Sequence, residues 1–457
     1  MTGQIARRQL LRGAVGASVV ALVAACAGPS GESFAPARTP TPPGTAVYVP
    51  PTIVGNAQPT SGAVFGTVPP TPRRGAAVPD FVRMLSFMPD DPAMHAGYVT
   101  YANPGEVRRL YAYDQVHGPA DLQAQNILFA DYTNVLSGCA LSEFAGTSGA
   151  PGKWRDAFGY DSYAVDREIW AGRLPDAASH MEGTFDPDAI AARLQMGGYT
   201  AATSRSGIAY LTVRGDNEED LRDIRSQLAL GRMNRIAAAG DRLIASPKTA
   251  IIEASLDAEA HKVPSLDVNA TFRALAEALI GVTSIATVPP AALATATATV
   301  RPDALAQFMR GFVPLHTPEL YAAGYTDSGT YQRTMHLALV YPNSSDAATD
   351  APEVQRRVNS FRLQSGPQLI PTYANGVTTR TVTTSGKGVL IADIALLPDP
   401  PLSRFWLDTW QRGELFLLLA PTLPGMTTGN GTGTGTPAMG ASAAPGTPRP
   451  PASTPSR

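Results

Sequence analysis

The sequence predicts an α+β fold of two tandem ferredoxin-like units (β-α-β-β-α-β), each an antiparallel sheet with helices on one face, flanked by disordered segments. Three observations predict it. Capping residues mark helix starts at intervals along the chain; short alternating runs bounded by turn residues lie between them; and the element order of residues 178–256 recurs over 291–412. The predicted boundaries are a signal segment over 1–25, a tether over 26–79, a first α+β domain over 80–288, a second over 289–421 and a tail over 422–457.

In the first domain, Tyr98 to Tyr101 reads as a strand leading to a helix from Pro104. There Asn103 stands three residues before Glu106, the spacing of a reciprocal cap. A helix near Leu122 to Tyr132 and a strand around Arg167 to Trp170 follow. Asp186-Pro187 and Ser246-Pro247 are cap-then-proline starts, where the missing proline donor costs nothing. Ile208 to Val213, after Ser206-Gly207, alternates as a strand. Asp216, three residues before Glu219, marks a further helix start, with Leu221, Ile224 and Leu228 spaced as one buried stripe.

The second domain begins with an Ala/Thr strand before Arg301-Pro302 and a helical stripe of Leu305, Phe308, Met309 and Phe312. Asp350 to Glu353 repeats the capping pattern ahead of Val354, Val358 and Phe361. Val389 to Leu396 alternates after Ser385-Gly386-Lys387-Gly388, Leu402 to Trp410 reads as a helix, and Leu415 to Leu419 as a last strand.

The flanks have a different composition. From Ala27 to about Pro79 the chain is rich in Pro, Thr, Gly and Ala, which predicts an extended tether spanning on the order of 40 Å by the square-root rule. From Leu423 to Arg457, Gly-Thr and Pro-Ser-Thr repeats predict disorder, since the glycines follow no strand and open no helix.

At the N-terminus, Arg7, Arg8 and Arg12 precede a short apolar run, Ala14 to Val23, that falls well short of the roughly 20 residues needed to span a bilayer. Ala6 to Arg12 resembles the twin-arginine export motif through Arg7 and Arg8, with Leu10 where that family usually has Phe. Val23-Ala24-Ala25-Cys26 resembles the processing site of bacterial lipoproteins. That resemblance implies a diacylglyceryl group on Cys26, removal of the preceding peptide, and a cell-membrane location, lipid-anchored on the extracytoplasmic face. The body also resembles, through Asp166-Arg167-Glu168-Ile169 and Glu182-Gly183-Thr184-Phe185-Asp186, uncharacterised lipoproteins of GC-rich bacteria. This resemblance implies architecture and location, and no activity.

A net charge of −2 over 457 residues argues against nucleic acid as a partner. With Cys26 lipidated, Cys139 has no partner for a disulfide and reads as a small buried residue. The six histidines form no pair at metal-ligand spacing. Asp257, Glu259 and His261 alternate but read as a solvated loop, and Asp216 to Asp220 lacks the glycine and glutamate of a Ca²⁺ loop. Tyr98, Tyr101, Tyr111, Tyr113, Tyr160, Tyr163, Trp154 and Trp170 concentrate ahead of residue 171, in core packing or a ligand groove. No catalytic, cofactor or metal residue is therefore assigned. The favoured expectation is a non-enzymatic binding or sensor-like module taking a protein or small-molecule ligand of the envelope; the rival is an envelope hydrolase with its site between the two units.

Overall fold

Where the local signal is a cap, the chain follows it. In the computed structural model, which describes residues 79–139, 152–293, 311–329, 331–361, 370–398, 405–411 and 413–421, Asn103 accepts from the Glu106 backbone N–H at 3.0 Å and starts a helix at Pro104. Asp186 does the same for Ala189 at 3.0 Å. Cys26, Arg7, Arg8, the tether before Pro79, the helix read over Leu305 to Met309 and the tail from residue 422 lie outside the described residues.

The strands are β1 (Tyr98–Ala102), β2 (Val165–Arg173), β3 (Asp176–Gly183), β4 (Thr200–Thr203), β5 (Ala209–Thr212), β6 (Arg235–Ala239), β7 (Arg242–Ser246), β8 (Ser284–Val288), β9 (Leu320–Asp327), β10 (Arg333–Tyr341), β11 (Ala374–Thr384) and β12 (Lys387–Leu396). They form one twelve-stranded antiparallel sheet in the order β11-β12-β10-β9-β8-β1-β2-β3-β7-β6-β5-β4. This overturns the expected pair of ferredoxin-like units with separate sheets. The element order over residues 178–256 was read correctly, but β8 pairs with β1 on one side and β9 on the other, so no sheet closes on itself. The β8-β9 pairing is close: a Cβ on Gly324 of β9 would lie 2.3 Å from the Ser284 carbonyl oxygen of β8.

From the β8-β1 pair outward the flanks run in matching order, β1-β2-β3-β7 and β8-β9-β10-β12. In each, a hairpin is followed by a helix, α7 (Pro187–Met196) after β2-β3 or α11 (Ser344–Ser360) after β9-β10. The chain then returns to lay a strand beside the hairpin's second member. The first flank carries an extra pair, β4 and β5, beyond β6.

Strand alternation gives the sheet two apolar faces. One is covered by α1 (Asp80–Leu85), α2 (Pro92–His95), α9 (Thr249–Glu259) and α10 (Ala270–Ala278), packing Phe81, Leu85 and Leu275 on Val99, Ile169, Ile285 and Ala338. The opposite face is covered by α3 (Pro104–Leu110), α4 (Pro119–Ala124), α5 (Phe129–Leu136), α6 (Lys153–Phe158), α7 and α8 (Ile224–Ala229), packing Val107, Tyr132, Trp154 and Leu194 on Met181, Leu211 and Leu243. On the second flank that face meets α11 and α12 (Phe405–Gln411), where Trp406 stacks on Tyr325 with ring centroids 6.0 Å apart. Leu415 to Leu419 falls in a helix, α13 (Glu414–Leu419), and adds no strand. The fully buried Arg357 of α11 fixes it, donating to the Leu418 and Ala420 carbonyls at 3.1 and 2.7 Å.

Two other helix starts move. Asp216 begins no helix; its carboxylate accepts from the Thr249 N–H at 3.0 Å and so caps α9, whose own N-cap Lys248 makes no side-chain cap bond. The stripe read at Leu221 and Ile224 is exposed, and α8 starts only at Ile224 under Asp223. Asp350 lies inside α11, which begins earlier under Asn343, although Val354, Val358 and Phe361 are buried as expected. The helix read near Leu122 to Tyr132 is two helices, α4 and α5.

Candidate ligand pocket

At one end of the central strands a cavity of about 270 Å³ opens between α1, the α10-β8 connection and the ends of β1 and β9. Phe81 and Tyr101 form an aromatic wall, their rings stacked at 5.1 Å and 26°. Asp80, Asn103, Glu106, Thr283 and Asp327 supply the polar lining, and among the described residues no Arg or Lys borders the cavity.

Each polar group is held by a local reason. Asn103 is fixed because its amide oxygen caps α3 while its backbone N–H donates to the Thr283 carbonyl at 2.8 Å. Asp327 is buried at the end of β9; it accepts from Arg333 Nε at 2.9 Å and from the Tyr111 hydroxyl at 3.2 Å, and its backbone N–H donates to Thr283 Oγ1 at 2.9 Å. Asp80, first residue of α1, has only long contacts: Asn103 Nδ2 and Arg167 Nε at 3.3 Å, Arg83 Nη2 at 3.7 Å. Arg83 is engaged instead by Glu182 in a two-point ion pair. Asp80 therefore meets the cavity with acceptor capacity unused.

Tyr101 is the unusual member. It is 1% exposed, and its hydroxyl is fully enclosed beside the Asn103 side chain. Burial, reinforced by Asp80, raises its pKa well above the ordinary phenol value, against the opposing Arg167 charge, the Asn103 hydrogen bond and the Arg83 charge, so it stays neutral at neutral pH.

A second constellation lies on the same face, across β9, β10 and β12. His336 Nδ1 is 2.7 Å from Asp393 Oδ1 and its Nε2 is 2.9 Å from Thr326 Oγ1, a hydroxyl, imidazole and carboxylate in line. Arg380 donates to the other Asp393 oxygen at 2.7 Å. Burial opposes ionisation of Asp393, but the His336 and Arg380 bonds outweigh it and lower its pKa. The relay borders no part of the cavity, and its strands are paired on both sides, so backbone N–H groups that could form an oxyanion hole are spent in the ladder. The arrangement ties strands together; it lacks what acyl transfer needs.

The other residues weighed from sequence are dispersed. Among the described residues no three His, Cys, Asp or Glu side chains are grouped to hold a metal. Asp257 and Glu259 lie on α9, not in a loop, and Glu259 is buried against Arg242. Burial pushes its carboxyl up to about 7 against the pull of Arg242. His261 follows the helix in a left-handed conformation. Cys139 is buried, its thiol pushed up to about 12 by burial, with Sγ 3.7 Å from the Tyr325 hydroxyl. Tyr132, Trp154, Tyr160 and Tyr163 pack in the core under β2 and β3. Of the concentrated aromatics only Tyr101 lines the cavity as described, and nothing in its local sequence marks it out.

No protein-family model matches the chain, and no curated protein matches it. The solved structure of TP0453 (crystal form I) is similar over 71% of this chain and 98% of its own, at 10% identity and a TM-score of 0.28. No helix among the described residues is long and apolar enough to cross a membrane.

Proposed function

We propose that this chain is a binding module without catalytic activity, anchored by lipid at Cys26 on the extracytoplasmic face of a membrane, with the cavity at Tyr101 as its ligand site. The observation that carries the binding role is a cavity lined by fixed polar groups against the stacked Phe81 and Tyr101 rings. Support for the anchor is the Val23-Ala24-Ala25-Cys26 sequence behind a short apolar run, with Arg7 and Arg8 as its export motif. The Pro/Thr-rich stretch would serve as a spacer, and its last residue, Pro79, stands on the cavity rim.

Two measurements test this. Replacing Cys26 with Ser should move the protein from the membrane fraction to the soluble fraction; a variant that stays with the membrane sinks the anchor. Native mass spectrometry of the full chain from its own membrane should show a small-molecule adduct that Tyr101→Phe diminishes. An adduct-free chain, or one indifferent to Tyr101, sinks the binding site.

A further inference from the structure

We infer that β11 is a self-association edge, at which a second copy of this chain pairs antiparallel with the first and continues its sheet. The two ends of the sheet differ. β4 is 4 residues long, too short to seat another strand firmly, whereas β11 runs for 11. Among the described residues β12 is the only strand beside β11, and past a register shift between Ala374 and Gly376 the ladder from Val377 to Thr384 is regular. None of the described residues lining the ligand cavity lies on β11, so self-association stands or falls independently of that cavity.

The hairpin turn decides which backbone groups are left over. Ser385 and Gly386 both have positive φ, 50° and 74°, the conformation of a two-residue turn that makes Thr384 and Lys387 a hydrogen-bonded pair. Alternation then commits Thr378, Arg380 and Val382 to β12 and turns the N–H and C=O of Val377, Thr379, Thr381 and Thr383 outward. A separate contact agrees: the Val377 carbonyl accepts from Gln355 Nε2 of α11 at 3.1 Å, which closes the edge at that point. No hydrogen bond among the described residues covers the outward groups of Thr379, Thr381 or Thr383, and the last two residues are exposed. The usual guards of an edge are missing. Val377 to Thr384 holds no proline or lysine, and its one charged side chain, Arg380, is tied to Asp393 at 2.7 Å and to the Ala278 carbonyl at 3.4 Å.

A row of outward donors and acceptors fits another strand's backbone, and the side chains fit their own copy. With a two-fold axis at Thr381, that residue pairs with Thr381 of the second copy and Thr379 with Thr383 of the second copy. One face of the junction is then threonine against threonine, a favourable cross-strand pair. On the other face Arg380 meets Val382 of the second copy, so no charge stands directly opposite its like. The register ends at Val377, whose carbonyl is already taken. Small, uniform side chains at Thr379, Thr381 and Thr383 stand where a peptide-binding edge would need pockets to select its ligand, which favours a second copy over a foreign peptide.

Sedimentation equilibrium of the full chain purified in detergent tests this edge, and the wild type should be a dimer at micromolar concentration. Thr381→Lys sets two like charges against each other at the axis and should weaken the dimer at least about tenfold, with recovery in high salt. Thr381→Pro removes an outward N–H without touching the β12 ladder and should give monomer at either salt concentration. Should Thr381→Pro shift urea unfolding, the salt dependence of Thr381→Lys alone decides. A monomeric wild type overturns the inference, and so does a dimer that Thr381→Lys leaves intact at low salt.

Discussion

Two histidines occupy matching places in the sheet and live in opposite environments. A single row of residues crosses the strands in register: Ile244, His180, Ile169, Tyr101, Ile285, Gly324, His336 and Asp393. His180 on β3 and His336 on β10 stand at the same step out from the β1-β8 seam, on the same face. Across the ladder His336 meets a carboxylate, and both its ring nitrogens find partners. His180 meets Ile244 instead, is fully buried, stacks on Phe87 at 4.0 Å and 2°, and leaves both nitrogens unpartnered. Burial lowers its pKa well below the ordinary value, with the Arg242 and Arg83 charges acting in the same direction. The residue directly opposite on the next strand thus decides whether a sheet histidine is a polar link or a buried aromatic plate.

That comparison can be broken in order of expected effect. Asp393→Ala strands His336 and Arg380 together and should destabilise the protein by about 2–3 kcal/mol in urea unfolding. A loss below the error of that measurement would mean the linked row carries no stability. His180→Phe should stabilise by about 1 kcal/mol at neutral pH, by removing two unsatisfied nitrogens from a site that already stacks.

The same substitution tests the pH response. His180 is neutral when folded and titrates near 6.5 when unfolded, so the unfolded chain takes up the proton first. Stability present above about pH 6.5 is lost as pH falls below it. His180→Phe should flatten this part of the stability curve, and an unchanged slope would place the acid sensitivity elsewhere. Glu259 acts with the opposite sign. Its carboxyl is raised to about 7 in the fold, so its contribution is greatest below the unfolded value near 4.5 and declines as pH rises through 7. Glu259→Gln should remove that decline in the same titration. The smallest effect is expected from Thr326→Val, which removes only the bond to His336 Nε2 and should cost at most about 1 kcal/mol.

Legibility in the sequence followed the range of the interaction. Asn103 and Asp186 were readable as caps because donor and acceptor are three residues apart. The order of elements over 178–256 was readable for the same reason. Alternation reports which residues share a face, but not which strand lies alongside, so the β1-β8 pairing that merges the two flanks left no local trace. Asp216 misled because its cap serves α9 across the fold and not the helix after it. Leu415 to Leu419 misled because a short apolar run suits a buried helix as well as a strand. Tyr101 was visible as one aromatic among eight, whereas its place on a cavity exists only once Phe81, Asn103 and Thr283 have assembled around it.

The β1-β8 seam also sets how the chain must fold. Ser284 Oγ donates to the Tyr101 carbonyl at 3.1 Å across 183 positions of sequence. A pairing of that span gives a high contact order, and its loop-closure entropy has to be met before the ladder returns any stabilisation. Folding should be slow and late. Until β8 emerges, β1 offers an open inner edge to any strand nearby, which makes this stretch the point of greatest exposure to misassembly.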